Sequence, residues 1–278
     1  MEFASLEPME GGWSGETFVA DAGGERTVVR IYGGRRGPAA HEIDAAVLRL
    51  VRGLLPVPQV LEVRRASGEM PALLVTELLP GVRGDLLLPT LDDAGLRRAG
   101  QAVGRVAAAL GGMPMLRRGI FADGELTVTP YELELPESLG EVGAAAEALL
   151  DEETRTCLVH SDLNPKNLLL DPDTLEVTGV LDWEFAHAGH PFTDLGNVLR
   201  FDREPAYVDA VLGVYAELRG TPPRRALELA RSADLYALAD LASRAGQNPV
   251  ADRAALRLDA ILATGDIHAV EGGFEAQA

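Results

Sequence analysis

The feature that most constrains the fold is a change of hydrophobic period at residues 79–90, "LPGVRGDLLLPT". Before it the apolar residues follow strand patterns. The β-branched runs "TFVADAG" (17–23) and "RTVVRIYG" (26–33) flank the turn "AGGE", as in an antiparallel hairpin. "LLPVPQVLEV" (54–63) and "ALLVTELL" (72–79) read as further strands, the first kept extended by Pro56 and Pro58. One helix interrupts them at 38–52, opened by Pro38, with Ile43, Ala46, Val47 and Leu50 expected on its inner face. Beyond the Pro/Gly punctuation, Ala- and Leu-rich helical periods cover 92–111, 138–150, 205–219, 224–246 and 250–264. The expectation is an α+β chain of two lobes. Residues 1–79 form a small β-rich N-lobe with one main helix, and residues 80–278 a larger, mostly helical C-lobe.

Between two of the helical segments lies a different stretch, "LVHSDLNPKNLLLD" at 158–171, followed by the turn "PDTLE" and the strand-like "VTGVLDWE" at 177–184. Asp162 and Asn167 share the polar loop, while Asp182 follows the second short strand. A hairpin here folds all three oxygen-bearing side chains to one place. Mg²⁺ prefers oxygen ligands and commonly completes its shell with substrate phosphates, so such a cluster suits that ion and leaves one carboxylate over as a base. Phosphoryl-transfer sites of the kinase type divide labour in this way.

Charge and cysteine content narrow the partners. The net charge is −18, and residues 1–80 contribute −3 (11 acidic, 8 basic), leaving −15 for residues 81–278 (32 acidic, 17 basic). Such a balance repels nucleic acid and favours a cationic ligand at the C-lobe, although charge also serves solubility. A single cysteine, Cys157, permits no intramolecular disulfide, which fits a reducing cytoplasm. The acidic start "MEFASLEPMEGG" lacks the basic and apolar regions of a signal peptide, and no run of eighteen apolar residues occurs. These features predict a soluble cytoplasmic protein with no membrane contact.

"HSDLNPKN" followed by "VLDWE" resembles the aminoglycoside phosphotransferase family, whose pattern is roughly His-Gly-Asp, four residues, Asn, then Ile-Asp-Trp. The similarity runs from "LLPVPQVL" to "HPFTDLGNVL". It implies a bilobal protein-kinase-like fold with Mg²⁺ as cofactor and ATP or GTP as co-substrate. It also implies Asp162 as catalytic base, His160 as organiser of the loop, and Asn167 and Asp182 as metal ligands. Asp194, in "TDLGN", is similar to the aspartate that steadies the catalytic loop in that family, and a helix N-cap is its alternative role. His187 and His190, three residues apart, make a weak metal pair and are better placed near the acceptor.

The same resemblance assigns the nucleotide side. "GGWSGETF" is not a Walker A motif, but its position makes it the hairpin tip over the phosphates, with Ser14 and Gly15 nearest them. On the next strand the family generally has a lysine where this chain has Arg30, which can grip two phosphate oxygens. Glu42 or Asp44 is the helical acid expected to pair with Arg30, with Glu42 preferred. The backbones of Thr76 and Leu78, in the segment linking the lobes, are expected at the base edge. Lys166, the only lysine, lies four residues after Asp162 and is expected in solvent, a role at the γ-phosphate being the minor alternative.

The function implied is an Mg-dependent O-phosphotransferase acting on a polycationic antibiotic, an aminoglycoside or a capreomycin- or viomycin-type cyclic peptide. Members of the family also take macrolides, choline, homoserine or fructosamines. Arg30 and Ser161, standing where the family has Lys and Gly, leave a catalytically impaired nucleotide- or ligand-binding protein as the alternative. The absence of Asp-Phe-Gly and Ala-Pro-Glu segments argues against a protein kinase.

Overall fold

In the computed structural model, residues 5–8, 17–22, 25–33, 36–131 and 133–270 are described. The β-branched runs form β2 (Thr17–Ala22) and β3 (Glu25–Tyr32), paired antiparallel with Val19 opposite Val28. Together with β1 (Ser5–Pro8), β4 (Val60–Arg64) and β5 (Ala72–Glu77) they build a sheet of order β1-β2-β3-β5-β4. β1 was not foreseen, and residues 54–59 of the expected first strand after the helix are irregular.

The helix α1 (Ala40–Val51) lies where the period predicted it, but its inner face is different. Ala40, His41, Asp44, Ala45, Val47, Leu48 and Val51 are buried, whereas Ile43 and Ala46 are half-buried and Leu50 is exposed. α1 carries apolar residues around most of its circumference, so periodicity cannot choose the face. A carboxylate, Asp44, sits on the buried side because hydrogen-bond donors meet it there.

The linker "LPGVRGDLLLPT" is not a plain loop. Val82 and Arg83 form β6, which pairs with β10 (Leu168–Leu170), and α2 (Gly84–Leu87) follows at once. β10 and β11 (Val177–Val180) are the hairpin expected after the polar loop. Short strands that carry no period of their own, β7 (Gly119–Phe121), β8 (Val128–Thr129), β9 (Cys157–Val159) and β12 (His187–Gly189), make a second small sheet of order β8-β7-β12-β9.

The helices are α3 (Asp93–Leu110), α4 (Gly140–Leu150), α5 (Thr193–Val198), α6 (Pro205–Arg219), α7 (Pro223–Ala242) and α8 (Pro249–Thr264). All but α5, a single short turn-and-a-half within "TDLGNV", match the predicted periods closely. Asp92 caps α3 by accepting from the Gly95 amide at 2.8 Å, and Asn248 caps α8 by accepting from Val250 and Ala251. No helix among the described residues is long and apolar enough to cross a membrane. One apolar cluster runs from Val47, Leu48 and Leu74 in the small lobe through Leu163, Leu168 and Val180 to Tyr207 and Tyr215, so both lobes rest on a shared core.

α3 and α6 approach closely because α3 presents glycines. A Cβ at Gly104 would lie 2.8 Å from the Val211 carbonyl oxygen, and one at Gly100 2.7 Å from that of Tyr207. Gly104→Val should therefore force the two backbones apart and lower stability by about 1–3 kcal/mol, measured by urea denaturation. Cys157 is buried at the start of the polar loop, and burial pushes its thiol up to about 12. Alkylation by iodoacetamide at pH 8 should be slow in the folded protein and fast in urea, because almost no thiolate forms until the chain opens.

Candidate active site

The polar loop is held by a buried carboxylate. β9 delivers His160 and Ser161, whose amides donate to Asp194 Oδ2 and Oδ1 at 2.9 and 2.8 Å. Asp194 is at the second position of α5, whose N-cap residue is Phe192, so its side chain serves the loop rather than capping its own helix. Burial pushes its carboxyl above the usual range.

His160 is fully buried. Its Nδ1 accepts from the Asp162 amide at 3.2 Å, so Nε2 carries the hydrogen donated to the Leu181 carbonyl at 2.7 Å. Its ring also packs against Trp183 at 4.7 Å between centroids. The histidine thereby ties the loop to the segment bearing Asp182. Ser161 adopts φ 68°, a left-handed backbone that glycine accepts more readily, which accounts physically for the glycine in the resembling pattern.

Asp162 is gripped on both oxygens: Asn164 Nδ2 donates to Oδ1 at 2.7 Å and Asn167 Nδ2 to Oδ2 at 2.8 Å. Asn167 Nδ2 also reaches the Asp162 carbonyl at 2.9 Å. Burial raises the Asp162 pKa, with the Arg200 guanidinium pulling the other way and the charge of Asp182 adding to the rise. With its nitrogen turned to Asp162, Asn167 keeps Oδ1 for another partner, and no donor among the described residues takes it. The Leu181 amide donates to the Asn167 carbonyl at 2.8 Å, which brings the residue before Asp182 against Asn167. Asp182 itself has φ 61° and ψ 64° and stands two residues beyond β11.

Arg30 reaches across from β3. It donates from Nη1 to Asp182 Oδ1 at 2.8 Å and from Nη2 to Glu184. Burial opposes its charge, but the two carboxylates outweigh burial and hold the guanidinium above its ordinary value. Glu184 was not foreseen as a site residue, though it stood in the "LDWE" motif. Burial and Asp182 raise its pKa, while Arg30 and Arg36 oppose the rise.

Neither helical acid pairs with Arg30. Glu42 accepts from Arg65, and Asp44 binds Arg36 through two bonds of 2.7 and 2.8 Å. Residues two apart on a helix point about 200° apart, so only one of them can face β3. Asp44 does, and Arg36, on the segment after β3, reaches it. Thr76 lies inside β5 between Val28 and Val60, where neighbouring strands flank its backbone, whereas Leu78 follows the strand. Ser14 and Gly15 lie outside the described residues.

Asp162, Lys166, Asn167, Asp182 and Glu184 all line one cleft of about 1430 Å³. His187 and His190 line it too, but no group of three or more His, Cys, Asp or Glu side chains among the described residues gathers as a metal cage. The oxygen pair Asn167 and Asp182, with room for phosphates beside it, fits Mg²⁺, which needs no such cage. Among the C-lobe acids after residue 200, Asp202 and Asp240 line the cleft, whereas Glu204 does not. Asp234 is buried and consumed by Arg200, which donates to it at 2.7 to 3.0 Å, and by Asn197 at 3.0 Å.

Residues 5–229 match the model of the phosphotransferase enzyme family. The chain belongs to that family. Among curated relatives, the Streptomyces fradiae aminoglycoside 3'-phosphotransferase is 33% identical over 143 residues, 46% of this chain and 52% of that protein. Mouse acyl-CoA dehydrogenase family member 11 is 42% identical over 53 residues, 19% of this chain. The matches thus span about half of the first protein and 7% of the second.

Among solved structures, a thermostable mutant of aminoglycoside phosphotransferase APH(4)-Ia in complex with ADP and hygromycin B superposes with TM-score 0.65 at 21% identity, covering 95% of both chains. The GDP and kanamycin complex of APH(2")-IIIa does so with TM-score 0.64 at 18% identity, covering 96% of this chain and 95% of that one. At such identity the likeness is one of fold, and the α+β, protein-kinase-like architecture expected from the sequence is the one observed.

The site's rigidity rests on Asp194. Asp194→Ala should leave the His160 and Ser161 amides without an acceptor and cost about 1–3 kcal/mol for each, read from the urea midpoint.

Proposed function

We propose that this member of the phosphotransferase enzyme family transfers the γ-phosphate of ATP or GTP to a hydroxyl of a small, polycationic molecule. The observation that carries this reading is the meeting of Asp162, Asn167 and Asp182 in one cleft, with Arg30 brought to Asp182 from the opposite lobe. In this reading residues 1–79 cover the nucleotide and residues 80–278 supply the catalytic groups and the acceptor site. The setting is the cytoplasm, where nucleoside triphosphates are made.

Asn167 Oδ1 and the Asp182 carboxylate would hold Mg²⁺. Such an ion would supply positive charge to the phosphates during transfer. Asp162 accepts the proton of the acceptor hydroxyl as its oxygen bonds to the γ-phosphorus and the bond from that phosphorus to the β,γ-bridging oxygen breaks. The Asn164 and Asn167 amides keep the carboxylate aimed at that hydroxyl, and His160 keeps the loop in register with Asp182. Arg30 grips phosphate oxygens in place of the lysine common at that position. In this reading the backbone of Leu78 would meet the base edge, and the assignment of Ser14 and Gly15 to the phosphates rests on the sequence pattern alone.

Asp202, which lines the cleft, supports a cationic acceptor, as do the hygromycin B and kanamycin held by structural relatives. An aminoglycoside or a basic cyclic peptide antibiotic fits, and phosphorylation would make the protein a resistance factor.

The test is incubation with Mg²⁺ and either ATP or GTP against aminoglycosides, basic cyclic peptides, macrolides, choline and homoserine, with acceptor mass read for one added phosphate. One cationic acceptor should gain a phosphate, and Asp162→Asn should reduce its turnover at least a hundredfold. Transfer to neutral acceptors alone would overturn the polycation assignment. Nucleotide binding without transfer to anything in the panel would favour the ligand-binding alternative.

A further inference from the structure

The acid on α1 and the basic residue on β3 do not form the expected pair, and Arg36 shows why. Its guanidinium makes three hydrogen bonds: Nη1 to Asp44 Oδ2 at 2.7 Å, Nη2 to Asp44 Oδ1 at 2.8 Å, and Nη2 to the Glu184 carbonyl at 2.7 Å. Asp44 also accepts from the Tyr32 hydroxyl at 2.7 Å, so its carboxylate is fully engaged although only 3% of the residue is exposed. A fork-shaped guanidinium can hold a carboxylate in two places and still reach a third acceptor, which an ammonium cannot do from one position. Arg36 is thus bonded at once to α1 and to the backbone two residues beyond Asp182.

That backbone needs holding. Asp182 lies in the left-handed region at φ 61°, a conformation that costs a non-glycine residue about 1–2 kcal/mol and persists only when its surroundings fix it. The Trp183 and Phe185 carbonyls on either side of Glu184 accept from the Ala186 amide and from His187 Nδ1. The Glu184 carbonyl has Arg36. Arg36 also lies 3.8 Å from the Glu184 carboxylate that binds Arg30, so alternating charges run from Asp44 through Arg36, Glu184 and Arg30 to Asp182.

We propose that Arg36 is a positioning residue for Asp182. It ties α1 to the loop that carries this acid and so sets its attitude toward Mg²⁺-nucleotide. By engaging Asp44 it also leaves Arg30 directed at Asp182 and Glu184, from which it can turn to phosphate oxygens. The proposal rests on the phosphotransferase reading, because only a metal-dependent nucleotide site gives Asp182 this duty.

The experiment is calorimetric binding of AMP-PNP and GMP-PNP to the full chain, in Mg²⁺ and again in EDTA, for wild type, Arg36→Met and Arg36→Lys. Outer-shell partners of metal ligands change metal affinity by about 10–100-fold. Arg36→Met should therefore raise the Kd in Mg²⁺ at least tenfold and leave the Kd in EDTA unchanged. Arg36→Lys, able to keep only part of the contact set, should fall between. A purely structural role lowers Tm and leaves the ratio of the two Kd values where it was, and that result would overturn the proposal. If Arg36→Met does not fold, Arg36→Lys decides, since a wild-type ratio in that variant excludes the need for a fork. Wild type binding neither nucleotide in either condition would instead remove the phosphotransferase reading itself, and the positioning role with it.

Discussion

The backbone amides of His160 and Ser161, just past the end of β9, both donate to the Asp194 carboxylate. Buried amides must be paired, so this contact allows the chain to break out of the sheet beneath a cleft. Everything downstream follows from that turn. His160 reaches Leu181, Asp162 comes under the amides of Asn164 and Asn167, and β10 and β11 return Asp182 to the same place. A carboxylate on a helix, rather than a run of apolar contacts, fixes the loop because hydrogen bonds have direction and hydrophobic contacts do not.

The second organising principle is the distribution of arginine. Arg30 and Arg36 leave the small lobe and reach the segment 182–184, while Arg200 lies buried beneath the cleft against Asp234. Each is placed against at least one carboxylate, as burial of a permanent charge requires. Arg30 and Arg36 each use a guanidinium fork, and Arg36 joins α1 to the segment 182–184 through defined bonds. The shared apolar core beneath the lobes supplies the bulk of the adhesion.

The acidity of the C-lobe bears on the acceptor less directly than the total suggests. Asp234 neutralises Arg200 in the interior, Asp240 is bonded to Arg244, and Arg105 engages Glu176 on the surface. Asp202 faces the cleft, where burial raises its pKa and Arg253 opposes the rise. Arg118 and Arg253 line the same space, so the cleft is mixed in sign rather than uniformly negative.

Local patterns in the sequence carried much of this. Helical periods located α3, α4, α6, α7 and α8, because long amphipathic segments repeat the same signal many times. The β2–β3 hairpin and the β10–β11 hairpin were legible from β-branched runs around turn residues, and the order His160, Asp162, Asn167, Asp182 was legible as a loop followed by a hairpin. Strands of two or three residues such as β7, β8 and β12 have no period to read, and they exist because neighbouring strands offer ladders. The buried face of α1, the pairing of Asp44 with Arg36 and the consumption of Asp234 by Arg200 were decided only in three dimensions. A charged residue lies inside or outside according to whether a distant donor reaches it, and that distance is a property of the packed chain, not of any window of its sequence.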